Sequence, residues 1–118
     1  MGAIGPNEFR ALLAAEFPEV AVEVRDKGDG LLHLEAAAFR RVTERAMDTG
    51  QFWSAEQHFR FVERVLSQAT PDVENALGVS YIEDLALGEC TPQRFRAVKE
   101  RMPAKLRAVM ARIHPNWR

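Results

Sequence analysis

The stretch from Thr70 to Gly88 constrains the fold most, because it has the pattern of one helix that is apolar around most of its circumference. Thr70 is a favoured N-cap, Pro71 suits the first helical position, and Gly88 tolerates the left-handed conformation that commonly ends helices. Apolar residues fall on two faces of this segment, Val73, Leu77, Tyr81 and Leu85 on one and Val79, Ile82 and Ala86 on the other. A helix with two apolar faces is typical of the centre of a domain.

Capping residues and amphipathic spacing predict further helices on both sides of this central segment. The predicted helices run over 8–17 after an Asn7 cap, from Leu31 or Leu32 to about Thr49, from Ser54 onwards, over 92–102, and from Pro103 towards His114. Ser54 begins a capping-box pattern, and Phe52 and Trp53 before it have the position of a hydrophobic staple. The sequence therefore predicts an all-α fold of about five to seven helices, a compact bundle or stacked helical hairpins, with little or no sheet.

Residues 19–35 admit two interpretations. Val20, Val22 and Val24 alternate as in a strand, and the apolar residues after the glycine-rich turn at 28–30 could pair with them as a hairpin. Pro18 followed by Glu19 is instead a helix start, and an isolated two-stranded hairpin is only marginally stable. We expect a short helix at 19–26.

Length and composition indicate a single globular domain over residues 1–118. Hydrophobic residues make up 47% of the chain and charged residues 28%, which is ordinary for a folded protein. One cysteine, Cys90, excludes an intrachain disulfide and fits a reducing compartment. The sequence contains neither an apolar run long enough to span a membrane nor a secretory signal pattern, so we expect a cytoplasmic protein.

Motifs that carry chemistry are absent from the sequence. The histidines at 33, 58 and 114 include no pair at the spacing of a zinc helix, and Cys90 has no evident base beside it. Glu83 and Asp84 project about 100° apart on a helix, which is unfavourable for a catalytic pair. No phosphate-binding loop, nucleophile elbow or dinucleotide fingerprint is present. We therefore expect a non-enzymatic protein with no catalytic residue, cofactor or metal ligand.

Charge is divided unevenly along the chain. Residues 1–89 hold 16 acidic and 8 basic residues, whereas residues 90–118 hold 1 acidic and 8 basic residues. An acidic body predicts a protein-binding module for a basic partner, with these candidate contacts: Glu23, Asp26, Asp29, Glu35, Asp72, Glu74, Glu83 and Asp84. The alternative is a nucleic-acid-binding regulator that uses the basic helices of 91–118. A third interpretation is that the basic segment packs on the acidic body without any partner.

Three runs carry a resemblance to a known kind of protein: EFRALLAAEFPEV, FVERVLSQATPDVENALGVSYIEDL and RMPAKLRAVM. Together they span most of the chain and resemble an uncharacterised family of small bacterial helical proteins. Members of this kind are similar in size and style to the immunity proteins encoded beside secreted bacterial toxins. The resemblance implies an all-helical binder that neutralises a cognate toxin, and it supplies no catalytic residues. The oligomeric state, monomer or homodimer, stays open.

Overall fold

A computed structural model describes residues 3–28, 30–87 and 92–113. Its helices are α1 (Pro6–Glu16), α2 (Pro18–Gly28), α3 (Leu32–Asp48), α4 (Phe52–Leu66), α5 (Pro71–Leu77), a π-helical segment (Gly78–Glu83), α6 (Asp84–Leu87), α7 (Pro92–Arg101) and α8 (Ala104–Ile113). Within these ranges no strand occurs, and one isolated bridge joins Ile4 to Ala69. The predicted all-α fold is confirmed.

Helix α2 confirms the helical interpretation of residues 19–26, and the alternative hairpin is wrong. Val20 and Val24, four residues apart, are buried, whereas Val22 between them is 49% exposed. Burial at every fourth residue is the period of a helix face, not the two-residue period of a strand. Helix α2 packs along α3, so the pair forms a helical hairpin.

Two predicted helix starts are each wrong by two residues. Helix α1 begins at Pro6 after an extended Gly5, so Asn7 lies inside the helix rather than at its cap. The backbone N–H of Gly5 donates to the carboxylate of Glu8 at 3.3 Å. Helix α4 begins at Phe52 instead of Ser54, so Phe52 and Trp53 form its first turn and are not a staple.

The central segment is helical from Pro71 to Leu87, and it is interrupted by the π-helical residues. Val73, Leu77, Tyr81 and Leu85 are buried, as predicted. In a regular α-helix, a four-residue repeat drifts around the axis by about 40° per step. A π-helical turn contains more residues than an α-helical turn, so each residue rotates less around the axis and the drift is reversed. All four side chains therefore stay on one face.

The second predicted apolar face is only partly correct. Ile82 is fully buried, but Val79 is 44% exposed. Thr70 occupies the N-cap position, yet its hydroxyl donates to the Ile4 carbonyl at 3.3 Å and to the Asp72 carboxylate instead of capping the helix. Asp72 instead accepts the backbone N–H of Val73 at 3.0 Å. Gly88, the predicted helix stop, lies outside the described residues.

The C-terminal helices meet at Pro103, as the sequence predicted. Helix α7 ends at Arg101 and α8 begins at Ala104, because proline lacks the N–H that a continuous helix would need. Val98 on the first helix, Met102 just after it, and Leu106 and Met110 on the second helix are all buried. Both helices therefore close over the core of the domain.

Three polar side chains meet inside the core at Thr43. Its hydroxyl lies 2.7 Å from the Tyr81 hydroxyl, 3.0 Å from Nδ1 of His58 and 3.2 Å from the Phe39 carbonyl. All contacts are satisfied if Thr43 donates to the carbonyl and accepts from Tyr81 and from a neutral His58. Burial raises the pKa of Tyr81 and lowers the pKa of His58 to about 4. We call this group the Thr43 cluster.

The Thr43 cluster predicts a loss of stability in mild acid. An unfolded histidine takes up a proton near pH 6.5, whereas folded His58 stays neutral down to a pKa of about 4. Stability is therefore complete above pH 6.5 and falls as the pH drops towards 4, by about 3 kcal/mol in total. Urea unfolding between pH 7 and pH 5 should show this slope. His58→Gln should abolish it, and His33→Gln, which changes an exposed ring, should retain it. An unchanged slope in His58→Gln would contradict the assignment.

Gly28 permits the closest approach between α2 and α3. A Cβ added there would lie 2.3 Å from Cγ of Glu35 and 2.8 Å from its Cα. Gly28→Ala should therefore destabilise the protein by about 1–3 kcal/mol, since backbone atoms of α3 would have to shift. Chemical denaturation measures the change, with the exposed neighbour Lys27→Ala as the control. A Gly28→Ala protein as stable as Lys27→Ala would show that the two helices separate easily.

Candidate binding site

A depression among the described residues lies between the end of α4, the α5 and π-helical stretch, and α8. Its volume is about 730 Å³. We call it the α4–α8 cleft. Residues from four stretches line it: Glu63, Leu66, Ser67 and Ala69; Pro71, Glu74 and Asn75; Gly78, Val79 and Glu83; and Lys105, Leu106, Val109 and Arg112.

The floor of the α4–α8 cleft is apolar. Leu66 and Val109 are half-buried and pack against the core, while Val79 is 44% exposed. Val79 belongs to the π-helical segment, where the change in helical turn directs it outward from the face that holds Tyr81 and Ile82. An apolar floor that solvent reaches is typical of a surface where another molecule binds.

The two walls of the cleft carry opposite charges. Glu74 and Glu83 lie on the α5 and π-helical wall, and Lys105 and Arg112 lie on the α8 wall. Within the described part of the chain, the carboxylates of Glu74 and Glu83 form no ion pair or hydrogen bond. The cleft thus offers unpaired charge of both signs beside its apolar floor.

Glu63 has a different role, although it also lines the cleft. Its Oε2 accepts the backbone N–H of Leu106 at 3.1 Å. Leu106 lies in the first turn of α8, where backbone N–H groups have no partner within the helix. The carboxylate of α4 therefore caps α8 and holds the basic wall in place.

Arg40 fixes the opposite side of the π-helical segment. Its Nη1 donates to the Ser80 carbonyl at 3.3 Å and to Oδ2 of Asp84 at 2.8 Å, and its Nε donates to Glu44 at 3.3 Å. A π-helical turn changes the backbone hydrogen-bonding pattern, and the guanidinium supplies Ser80 with a further donor. Asp84, a predicted partner contact, therefore binds a side chain of its own domain.

A second polar group beside the π-helical segment was not predicted. Nδ1 of His33 lies 3.0 Å from the Ser80 hydroxyl, and Nε2 lies 3.4 Å from the Asn75 amide nitrogen. Serine and histidine at this distance can form a nucleophile and its base. Ser80 is only 9% exposed, and its contact with His33 joins α3 to the π-helical segment. The arrangement joins α3 to the cleft wall through Asn75.

The predicted contacts on α2 and α3 have separate surroundings. Glu23 accepts a hydrogen bond from Arg45, which lowers the pKa of the Glu23 carboxyl. Asp26 is exposed, and Asp29 lies outside the described residues. Glu35 was expected on the surface, but it is 3% exposed and its carboxylate accepts Nε and Nη2 of Arg10 at 2.6–3.0 Å. That expectation is wrong because this carboxylate binds α1 to α3.

Of the eight predicted contacts, the structure brings Glu74 and Glu83 together at one depression. Asp72 lies one residue beyond Pro71, but its carboxylate binds Thr70 and the backbone of Val73. Cys90, the one candidate nucleophile in the sequence, lies outside the described residues.

Basic residues of the C-terminal helices are distributed among several roles. Arg101 stacks on Phe52 at 4.1 Å from the ring centroid, and Arg107 donates to the Met102 carbonyl at 3.0 Å. Lys105 and Arg112 line the α4–α8 cleft. Arg101 therefore contacts the body of the domain at Phe52, whereas Arg107 contacts a carbonyl of its own segment.

Most of the chain matches a known protein family. A family model described as "Domain of unknown function (DUF7674)" matches residues 10–118. The chain belongs to this family. The match includes every residue that lines the α4–α8 cleft. No curated protein and no solved structure matches the chain.

Two other features are absent from the residues that the structure describes, namely a group of metal ligands and a membrane-spanning helix. Across residues 3–28, 30–87 and 92–113, no three histidine, cysteine, aspartate or glutamate side chains are grouped as metal ligands. In the same ranges, no helix has the length and apolar character needed to cross a bilayer.

The cap on α8 predicts a local effect of removing the Glu63 carboxylate. Glu63→Ala should destabilise the protein by about 1 kcal/mol, a typical cost of losing a helix cap. It should also speed hydrogen exchange at the first amides of α8 by about fivefold or more. Glu100→Ala, an exposed change on α7, serves as the control. Equal exchange in both variants would show that the contact does not hold the basic wall.

Proposed function

We propose that this domain is a non-enzymatic protein-binding module whose α4–α8 cleft receives a segment of a protein partner. The observation that carries the proposal is an apolar floor, exposed at Val79, between walls with unpaired charges. Proteins commonly bind such a segment by burying apolar anchors and surrounding them with polar contacts.

The shape and charge of the cleft favour an amphipathic helix as the bound segment. A volume of about 730 Å³ holds a few side chains of such a helix rather than a whole domain. Its apolar stripe would cover Val79 and Val109, and its basic residues would lie beside Glu74 and Glu83. Acidic residues on the other side of the helix would meet Lys105 and Arg112.

The acidic character of residues 1–89 supports a basic partner. Sixteen acidic and eight basic residues in this part of the chain create a negative field. Such a field increases the rate at which a basic protein encounters the surface, before close contacts form. Glu74 and Glu83 then contribute most, because neither carboxylate must leave an internal partner on binding.

The finer proposal is that the domain is an immunity protein, which binds and neutralises a cognate bacterial toxin in the cytoplasm. The resemblance to small bacterial helical proteins supports it, as does the absence of catalytic motifs from the sequence. A small acidic protein that covers the basic surface of a toxin needs no chemistry of its own. The toxin supplies the activity that is blocked.

The proposal is tested with the proteins encoded beside this chain in its genome. Each is purified and its binding to the domain is measured by biolayer interferometry. In parallel, each is co-expressed with the domain and cell survival is scored. We expect one neighbour to bind and to be toxic only without the domain. The double variant Glu74→Lys with Glu83→Lys should weaken binding about tenfold or more and abolish protection.

A matched double variant separates the cleft from overall charge. Asp26→Lys with Glu100→Lys makes the same change in net charge at exposed positions that do not line the cleft. It should retain binding within about threefold. Equal losses in both double variants would contradict a contact at the cleft. Failure of every neighbour to bind, together with binding of a DNA or RNA duplex at low salt, would favour the nucleic-acid alternative.

A further inference from the structure

Trp53 is the most exposed large apolar side chain among those the structure describes, with 73% of its surface open to solvent. It lies in the first turn of α4, beside the half-buried Phe52. One exposed apolar residue is common on protein surfaces and is not evidence of a site. Its surroundings are what distinguish Trp53.

Trp53 lines a second depression, between the start of α2 and the first turns of α4, with a volume of about 450 Å³. We call it the Trp53 depression. Phe17 and Pro18 contribute further apolar surface, and Glu16 and Glu19 contribute carboxylates. Aromatic and acidic groups are thus combined in one concave surface.

The two carboxylates of the Trp53 depression differ in their partners. Glu16 accepts two contacts from Nη2 of Arg64, at 2.5 and 2.6 Å. The carboxylate of Glu19 forms no ion pair or hydrogen bond with any residue that the structure describes. Glu19 therefore presents a free negative charge beside an exposed indole ring.

The same domain already combines guanidinium groups with aromatic rings at two neighbouring places. Arg101 lies over Phe52 at 4.1 Å from the ring centroid. Arg64 lies over Phe61 at 5.7 Å while it pairs with Glu16. The second arrangement brings a ring, a carboxylate and a guanidinium together. Trp53 and Glu19 offer the ring and the carboxylate without an internal guanidinium.

We propose that the Trp53 depression binds an arginine side chain of a protein or peptide partner. The guanidinium stacks on the indole, which is the strongest of the aromatic rings in attracting cations, and donates to the Glu19 carboxylate. Arginine fits better than lysine because its planar group stacks and donates at the same time. Citrulline, the uncharged isostere of arginine, has the same shape but lacks the positive charge that the indole and the Glu19 carboxylate attract.

This site is separate from the α4–α8 cleft and does not depend on the function proposed for it. Trp53 lies in the first turn of α4 and Glu63 lies near its end, so the two sites are about 15 Å apart along the helix axis. The test of the Trp53 depression therefore uses short peptides and none of the proteins encoded by neighbouring genes.

Peptide titration followed by NMR tests the proposal directly. The ¹⁵N-labelled domain carries Trp117→Phe, so that Trp53 gives the single remaining indole N–H signal. Acetylated and amidated Gly-Gly-Arg-Gly-Gly is added, and the lysine and citrulline peptides are compared. We expect the arginine peptide to shift the Trp53 signal to saturation with millimolar affinity. The lysine peptide should bind about fivefold more weakly, and the citrulline peptide should leave the signal unchanged.

Two variants identify the carboxylate that takes part. Glu19→Gln should weaken arginine binding about fivefold, whereas Asp26→Asn, which removes an exposed carboxylate from the same helix, should leave the affinity unchanged. Trp53→Ala should abolish the peptide-induced shift of the Glu19 backbone amide. Equal shifts from arginine and citrulline, no saturation, or equal effects of Glu19→Gln and Asp26→Asn would each overturn the proposal.

Discussion

The interior of this fold depends on one buried hydroxyl group, that of Thr43, because it joins three helical elements. Thr43 belongs to α3, His58 to α4 and Tyr81 to the π-helical segment, and their polar atoms meet within 3.0 Å. A buried polar group left without a partner costs more free energy than its hydrogen bond contributes. The three helical elements must therefore keep the relative rotation that lets these groups meet. The rings of Phe17 and Phe39 pack edge-on against the imidazole of His58, at centroid distances of 5.0 and 5.3 Å.

The π-helical segment connects this interior to the surface. Tyr81 reaches Thr43 on its inner side, and Val79, two residues earlier, is exposed in the α4–α8 cleft on its outer side. Arg40 binds the Ser80 carbonyl between them and so stabilises the altered turn. The geometry of the cleft wall is therefore a consequence of how the core is hydrogen-bonded. A change at the Thr43 cluster would reach Val79 through the same turn of helix.

Local patterns predicted most of the helices but not the partners of their charged groups. Spacing of apolar residues located α3 and the central segment, Pro18 followed by Glu19 located α2, and Pro103 located the break before α8. The cap residues were less informative, since Pro6 and Phe52 begin their helices earlier than Asn7 and Ser54 suggested. Glu35 shows the limit most clearly, because the partner of its buried carboxylate is Arg10, 25 positions away. Likewise, nothing near Glu74 indicates that it shares a depression with Glu83 and α8.

The stretch from Thr70 to Gly88 shows both what the sequence determines and what only the tertiary structure decides. Its sequence alone determined that it is helical and central, because the period of apolar residues and the proline at its start are local properties of the chain. Only the tertiary structure decided that Val79 faces the cleft, that Asp84 is bound by Arg40, and that Glu83 remains unpaired. The physical reason is that burial and charge pairing depend on which distant segments meet, and α3 and α8 reach this helix through space rather than along the chain.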